Sequence, residues 1–218
     1  MSSSRLPGKV MKPILGVPMI GRQIERIRRA TRITKLIVAT STDPSDDVIK
    51  DYARSLGLWV HRGPLYDVLD RFVGVLLYEG QETIVRLTAD CPLTDWTVID
   101  RCILAHDEAD AAITYTDGSF AKGLDVEVCD ARAPHIANRT SHDPYDHEHV
   151  TPYLRNHPDL FKACVVSRAP SLWAHRWTVD TPEDLVFVTK VYEALYPTNP
   201  AFTTEDIVAW TSCPTGAS

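Results

Sequence analysis

The chain has 218 residues, 44% hydrophobic and 24% charged, with 29 acidic against 23 basic side chains and a formal net charge of −6. That length predicts one domain with a substantial core, and the acidic balance excludes broad nucleic-acid binding, which needs a basic face. No apolar run is long enough to span a bilayer and no signal peptide is visible, while five scattered cysteines without a Cys-x-x-Cys pair fit reduced thiols, so the expected location is the cytoplasm, away from any membrane.

The first nine residues, Met1 to Lys9, are small, hydroxyl-rich and basic, and they contain Pro7-Gly8. Gly8 permits a turn and a close approach of backbone to ligand. Arg5 suits forked phosphate contacts, and Lys9 acts as a point charge on phosphate. The stretch reads as a loop for nucleotide phosphates, with a disordered basic terminus as the alternative. It is not a Walker A loop, because the second glycine and the Lys-Ser/Thr pair are absent.

Pro18 opens a predicted helix with Ile20, Ile24 and Ile27 on one face and Arg22, Arg26 and Arg29 mostly off it. Lys35–Thr40 is a short apolar run, consistent with a strand covered on both sides. Asp43-Pro44 is an N-cap with proline at the first helical position, and the helix behind it ends at Gly57. Leu58–His61 is a second strand. A helix through Val68, Leu69, Phe72 and Leu76 stops at Gly80, Thr83–Leu87 is a third strand, and a helix through Val98, Ile99, Cys102 and Leu104 follows.

The alternation predicts an α/β fold, Rossmann-like, with a mostly parallel central sheet, helices on both faces and ligands at the carboxyl ends of strands. Such a sheet opens with a strand before its first phosphate-binding turn, so the expected first strand lies before Met1. The second half is less regular. Ala111–Tyr115, Leu124–Val128, Phe161–Val166 and Trp177–Asp180 read as strands. Asp143–Leu154, the segment through Leu185 and Leu195, and Thr204–Trp210 read as helices. Residues 1–210 form the expected domain, and 211–218 a mobile tail.

Asp90 follows a strand and precedes Cys91-Pro92, where proline stops the strand. Asp180 precedes Thr181-Pro182-Glu183-Asp184, which supplies its own capping box and leaves the Asp180 side chain without a local task. The alternatives are a turn aspartate at 90 and a helix cap at 180. Paired at one sheet edge, the two carboxylates suit Mg²⁺, which takes one or two carboxylates plus substrate phosphates. Asp67 and Arg71 have the spacing of a surface ion pair, with an Arg71–nucleotide contact as the second reading. His147 and His149 lie two apart, a poor spacing for zinc, so His142–His149 reads as substrate contact or subunit interface. Cys91 reads as a small packed thiol.

Ordered blocks then make a resemblance. Ser3–Lys9, Leu15–Met19, Ile37–Ser41, Asp67–Phe72, Arg86–Leu93, Gly123–Val128, His147–Tyr153 and Thr178–Asp184 together resemble the spore-coat-polysaccharide-type cytidylyltransferases. These are relatives of the synthetases for CMP-Kdo and CMP-sialic acids. The resemblance implies a nucleotidyltransferase using CTP, a sugar-acid acceptor and Mg²⁺, and a homodimer. By position it implies that Arg5 and Lys9 hold the triphosphate with Ser4, Gly8, Arg71 and Asp90 nearby, and that Asp90 and Asp180 hold the metal. Lys122, Glu127, His149 and Tyr153 are the candidates for the sugar side. The family pattern also carries an apolar strand and an Ala-Arg pair ahead of the serine-rich loop. Two further readings stay open: a nucleotide-binding homologue with weak catalysis, and a transferase for another acceptor such as a polyol phosphate.

Overall fold

The structure, a computed structural model, describes residues 3, 5–79 and 82–213. Behind the basic loop come a 3-10 turn (Lys9–Met11) and a hairpin of β1 (Pro13–Ile14) and β2 (Val17–Pro18), which leads into α1 (Met19–Ile27). β3 (Ile37–Ser41), α2 (Asp47–Ser55) and β4 (Trp59–Gly63) form a parallel βαβ unit, with Ile37 opposite Trp59 and Ser41 opposite Gly63. α3 (Val68–Glu79), β5 (Thr83–Arg86), α4 (Trp96–Ala109), β6 (Ile113–Thr116) and β7 (Glu127–Asp130) follow. Then come α5 (Arg132–Thr140), α6 (Pro144–His149), α7 (Pro152–Asn156), β8 (Ala163–Val166), α8 (Pro182–Leu195) and α9 (Thr204–Ser212).

The α/β architecture is the expected one. Its four-stranded sheet, in the order β5-β7-β6-β8, is mixed, because β7 runs antiparallel to both neighbours while β6 and β8 are parallel. The β6–β7 connection holds no helix, and a parallel pairing would need a helical crossover. β3 and β4 form a separate two-stranded sheet, so among the described residues no ladder joins β3 to β5. The expected first strand falls outside the described residues.

Helices bridge the two sheets. Ile20 and Ile24 of α1 pack with Ile49, Val38 and Leu58 beside the βαβ unit. Met19 and Ile27 belong to the main core with Leu93, Ile99, Val128, Trp177 and Val179. On α3, Leu69 and Val73 pack against Ile113, Cys129 and Leu154.

Arg22 and Arg26 lie off the isoleucine face as expected, and both are buried, while two of the expected elements need correction. Aromatic rings from α4 and from the C-terminal segment cover that side: Arg22 lies 4.3 Å from the Tyr196 ring, and Arg26 lies 4.2 Å from Phe202 and 5.2 Å from Trp96. Helical periodicity places a side chain on a face; it does not say which later segment covers that face. Asp143–Leu154 is two helices, because Pro152 has no N–H to continue the first, and Val150 adopts a φ of +74° between them. Trp177–Asp180 is not a ladder strand, but its backbone is tied to two other segments, by Trp177 N–H to Lys122 O and Val179 N–H to Asp90 O.

Asp67 does not act as the partner of Arg71. It accepts from His147 Nδ1 at 2.9 Å and from the Asp70 N–H, while Arg71 donates to Pro64 O. His147 also donates from Nε2 to Ser141 O at 3.0 Å, so the imidazolium ties the start of α3 to α6. The Ser141 carbonyl and then the Asp67 carboxylate raise its pKa against the opposing effect of burial. A raised folded-state value means that the stabilisation is complete below about pH 6.5 and is lost as pH rises through the folded value. The difference in melting temperature between the parent protein and His147→Gln should therefore be larger at pH 5.5 than at pH 8; an equal difference at both would refute the charged clamp.

Gly123 marks a contact that only glycine permits. Its φ is +110°, and a Cβ there would lie 2.8 Å from Thr178 N and 2.8 Å from the Trp177 carbonyl carbon. Both obstacles are backbone, in the segment that leads to Asp180. Gly123→Ala should cost at least about 2 kcal/mol from strain and displacement, lowering the melting temperature by roughly 4–8 °C. A melt shifted by less than about 1 °C would show that the approach is not required.

Candidate active site

The basic loop is anchored at its centre. Leu6 is buried in the main core, Gly8 turns the chain with a φ of +68°, and Lys9 N–H donates to Leu6 O. The sequence puts an apolar residue between Arg5 and Lys9, so burying it fixes both cations. A disordered terminus therefore does not describe residues 5–9. Ser4 lies outside the described residues.

Asp90 is placed by the loop after β5. Gln23 of α1 donates from Nε2 to Thr88 O at 2.7 Å, Thr94 donates to Cys91 O, and Tyr192 donates its hydroxyl to Pro92 O at 2.8 Å. Asp180 is placed by the start of α8. Thr181 accepts from Asp184 N–H, while Asp184 Oδ2 accepts from both Thr181 N–H and Asp180 N–H. The cap thus holds the Asp180 backbone and leaves its carboxylate to point elsewhere.

That carboxylate meets Asp90 across one nitrogen. Lys9 Nζ donates to Asp180 Oδ1 at 2.8 Å, to Asp90 Oδ2 at 3.2 Å and to Val179 O at 2.7 Å. Three acceptors exhaust the three N–H groups of an ammonium. Asp180 Oδ2 is paired with Arg5 at 3.2 Å and with Arg176, which also reaches Asp184 at 3.6 Å. Burial pulls the Asp180 carboxyl upward, but Lys9, Arg176 and Arg5 outweigh it and hold the group at about 2. Lys9, Arg5 and Arg176 thus balance Asp90, Asp180 and Asp184 in one cluster. Only Arg5 among them is largely exposed, at 62% of its side chain.

The two carboxylates and the Val179 carbonyl are hard oxygen donors converging on a point filled by a cationic group. That donor set suits Mg²⁺, which prefers one or two carboxylates and takes its remaining ligands from phosphate and water. Cys91 is packed beside Asp90, with Sγ against Thr88 and Asp90. Burial, reinforced by Asp90, raises its thiol well above the usual range, so it is no nucleophile at neutral pH.

The other expected residues are spread out. Arg71 lies against Gly63 at the carboxyl end of β4. Lys122 is exposed and its backbone pairs with the Arg176 segment, next to the cation cluster. Glu127 is buried, with Oε2 accepting from Arg86 at 2.5 Å and Oε1 accepting from Thr151 at 2.6 Å and Arg155 at 2.5 Å. Buried and accepting three hydrogen bonds, its carboxylate positions two arginines and does not present itself to a ligand. His149 is exposed and packs on Tyr145, and Tyr153 stacks on His157 with ring centroids 4.0 Å apart. Sequence reasoning missed Arg176, Gln23 and the Arg86–Glu127–Arg155 cluster. Arg176 stands four residues before Asp180 but outside any helix, so no periodic pattern marks the pair.

A cytidylyltransferase family model matches residues 1–201. The chain is 34% identical over 204 residues to a spore coat polysaccharide biosynthesis protein, SpsF, of Bacillus subtilis, covering 88% of this chain and 83% of that one. A cytidylyltransferase structure from Leptospira borgpetersenii superposes with a TM-score of 0.90 at 25% identity, covering 96% of this chain and 89% of that one. A CMP:2-keto-3-deoxy-manno-octonic acid synthetase complexed with CTP shares the fold, with a TM-score of 0.69 at 16% identity over 88% of this chain and 94% of that one. By sequence, fold and the match along nearly its whole length, the chain belongs to the cytidylyltransferase family.

Proposed function

We propose that this protein transfers a cytidylyl group from CTP to a hydroxyl of a sugar acid, with release of pyrophosphate, in the building of a surface polysaccharide. The observation that carries the reading is the convergence of Asp90 and Asp180 on one cationic position beside the Gly8 turn. The synthetase with the shared fold is described with CTP, and the Bacillus relative is named for polysaccharide biosynthesis; both support the choice of substrates.

The step needs positioning and charge neutralisation more than covalent help. The acceptor oxygen bonds to the α-phosphorus, the bond to the bridging oxygen breaks, and the hydroxyl proton leaves to solvent. Charge grows on the departing pyrophosphate. Arg5 and Lys9, on a loop pinned by Leu6, meet that charge without rearranging the core. Mg²⁺ held by Asp90 and Asp180 would supply charge neutralisation at the phosphates. Arg176 keeps the Asp180 carboxylate oriented. Lys122, exposed beside this segment, offers a cation to the acceptor carboxylate, while Glu127 holds Arg86 and Arg155 in place.

Asp90→Asn and Asp180→Asn are each expected to lower pyrophosphate release from CTP at least about a hundredfold while leaving a cooperative melt. Full activity in both would remove the mechanism. Calorimetry with CTP and Mg²⁺ separates a transferase from a binding homologue, since binding without turnover under a panel of sugar acids favours the latter. Among the four nucleoside triphosphates, CTP is expected to compete best; equal competition by all four would refute the base assignment.

A further inference from the structure

Lys9 occupies the position that the proposed metal would need. Its ammonium spends all three N–H groups on Asp180, Asp90 and Val179 O, and its side chain is only 13% exposed. A protonated amine cannot ligate a metal ion, and an ammonium and a divalent ion cannot both occupy the point where Asp180 Oδ1, Asp90 Oδ2 and Val179 O converge. The free protein therefore already holds a cation where Mg²⁺ would go.

We propose that Lys9 is a tethered counter-ion that keeps the Asp90–Asp180 pair closed to divalent cations until a triphosphate draws the ammonium away. The inference rests on the reading of those aspartates as metal ligands. The chemistry is an exchange of partners. In the free protein Lys9, Arg5 and Arg176 balance the acidic cluster. A bound triphosphate would offer Lys9 competing anionic acceptors at its own Gly8-turned loop. The Asp90 and Asp180 carboxylates so released would hold the divalent ion and let it supply positive charge. Each event removes the obstacle to the other, so nucleotide and metal bind with positive, reciprocal coupling. The arrangement also keeps the protein from holding a metal without its nucleotide.

The test measures Mn²⁺ binding to the nucleotide-free protein by the loss of the free-ion electron paramagnetic signal, a readout independent of catalysis. Lys9→Met should tighten Mn²⁺ binding at least about tenfold over the parent protein, a typical coupling between sites. Lys9→Met combined with Asp90→Asn should lose the gain. Unchanged or weaker binding in a cooperatively melting Lys9→Met protein overturns the proposal. Should that variant fail to fold, the parent protein labelled with ¹⁵N-lysine answers the same question. Saturating Mg²⁺ must abolish the slow-exchanging Lys9 Nζ–H resonance, and its persistence in the Mg²⁺-bound protein overturns the proposal. The two readings fail separately. A gain of Mn²⁺ affinity in a protein that never turns over CTP keeps the counter-ion role and removes the transfer reaction. CTP turnover with unchanged Mn²⁺ affinity does the reverse.

Discussion

One ammonium group between two carboxylates organises this end of the molecule. Lys9, Asp90 and Asp180 come from three distant parts of the chain, the two aspartates standing 81 and 171 residues from Lys9. Left alone, two aspartates at this separation would repel each other and resist burial. With the ammonium between them, and Arg5 and Arg176 outside, the cluster is electrically balanced, and the Asp180 carboxyl lies far below its ordinary range. The catalytic proposal needs the same geometry with the cations redistributed.

The surrounding fold exists to hold those three side chains still. The apolar Leu6 fixes the loop of Lys9, the capping box of α8 fixes Asp180, and Gln23 of α1 fixes the turn of Asp90. The Val179–Asp90 backbone bond ties the two acidic segments directly, and the Gly123 approach seats the first of them against the Lys122 turn. A displacement of one of these supports is transmitted to a carboxylate, which is why residues that touch no ligand matter for the site.

Much of this was legible in the residues. Thr181-Pro182-Glu183-Asp184 announces its own helix start, which frees Asp180, and Pro92 stops a strand right after Asp90. Both are local chemistry, readable without knowing the fold. The pairing of the two aspartates was expected from strand ends facing one way; the segment before Asp180 is no ladder strand and is tied instead by single hydrogen bonds to Lys122 and Asp90. What stayed hidden was set by distant coverage. The depth of Arg22 and Arg26 depends on Phe202 and Tyr196, some 170 residues later. Glu127 read as a candidate for the sugar side because a strand position does not name its neighbours; Arg86 and Arg155 occupy its carboxylate. The reversed β7 escaped notice because a parallel sheet is the default expectation, and only the helix-free connection before it argues otherwise.

The most direct test of the central claim is the anomalous-scattering map of crystals grown with CTP and Mn²⁺. The account predicts one manganese ion coordinated by carboxylate oxygens of both Asp90 and Asp180 and by phosphate oxygen, with Lys9 moved onto the triphosphate. Manganese held by phosphates alone, with the Lys9 ammonium still seated between the two aspartates, would contradict it.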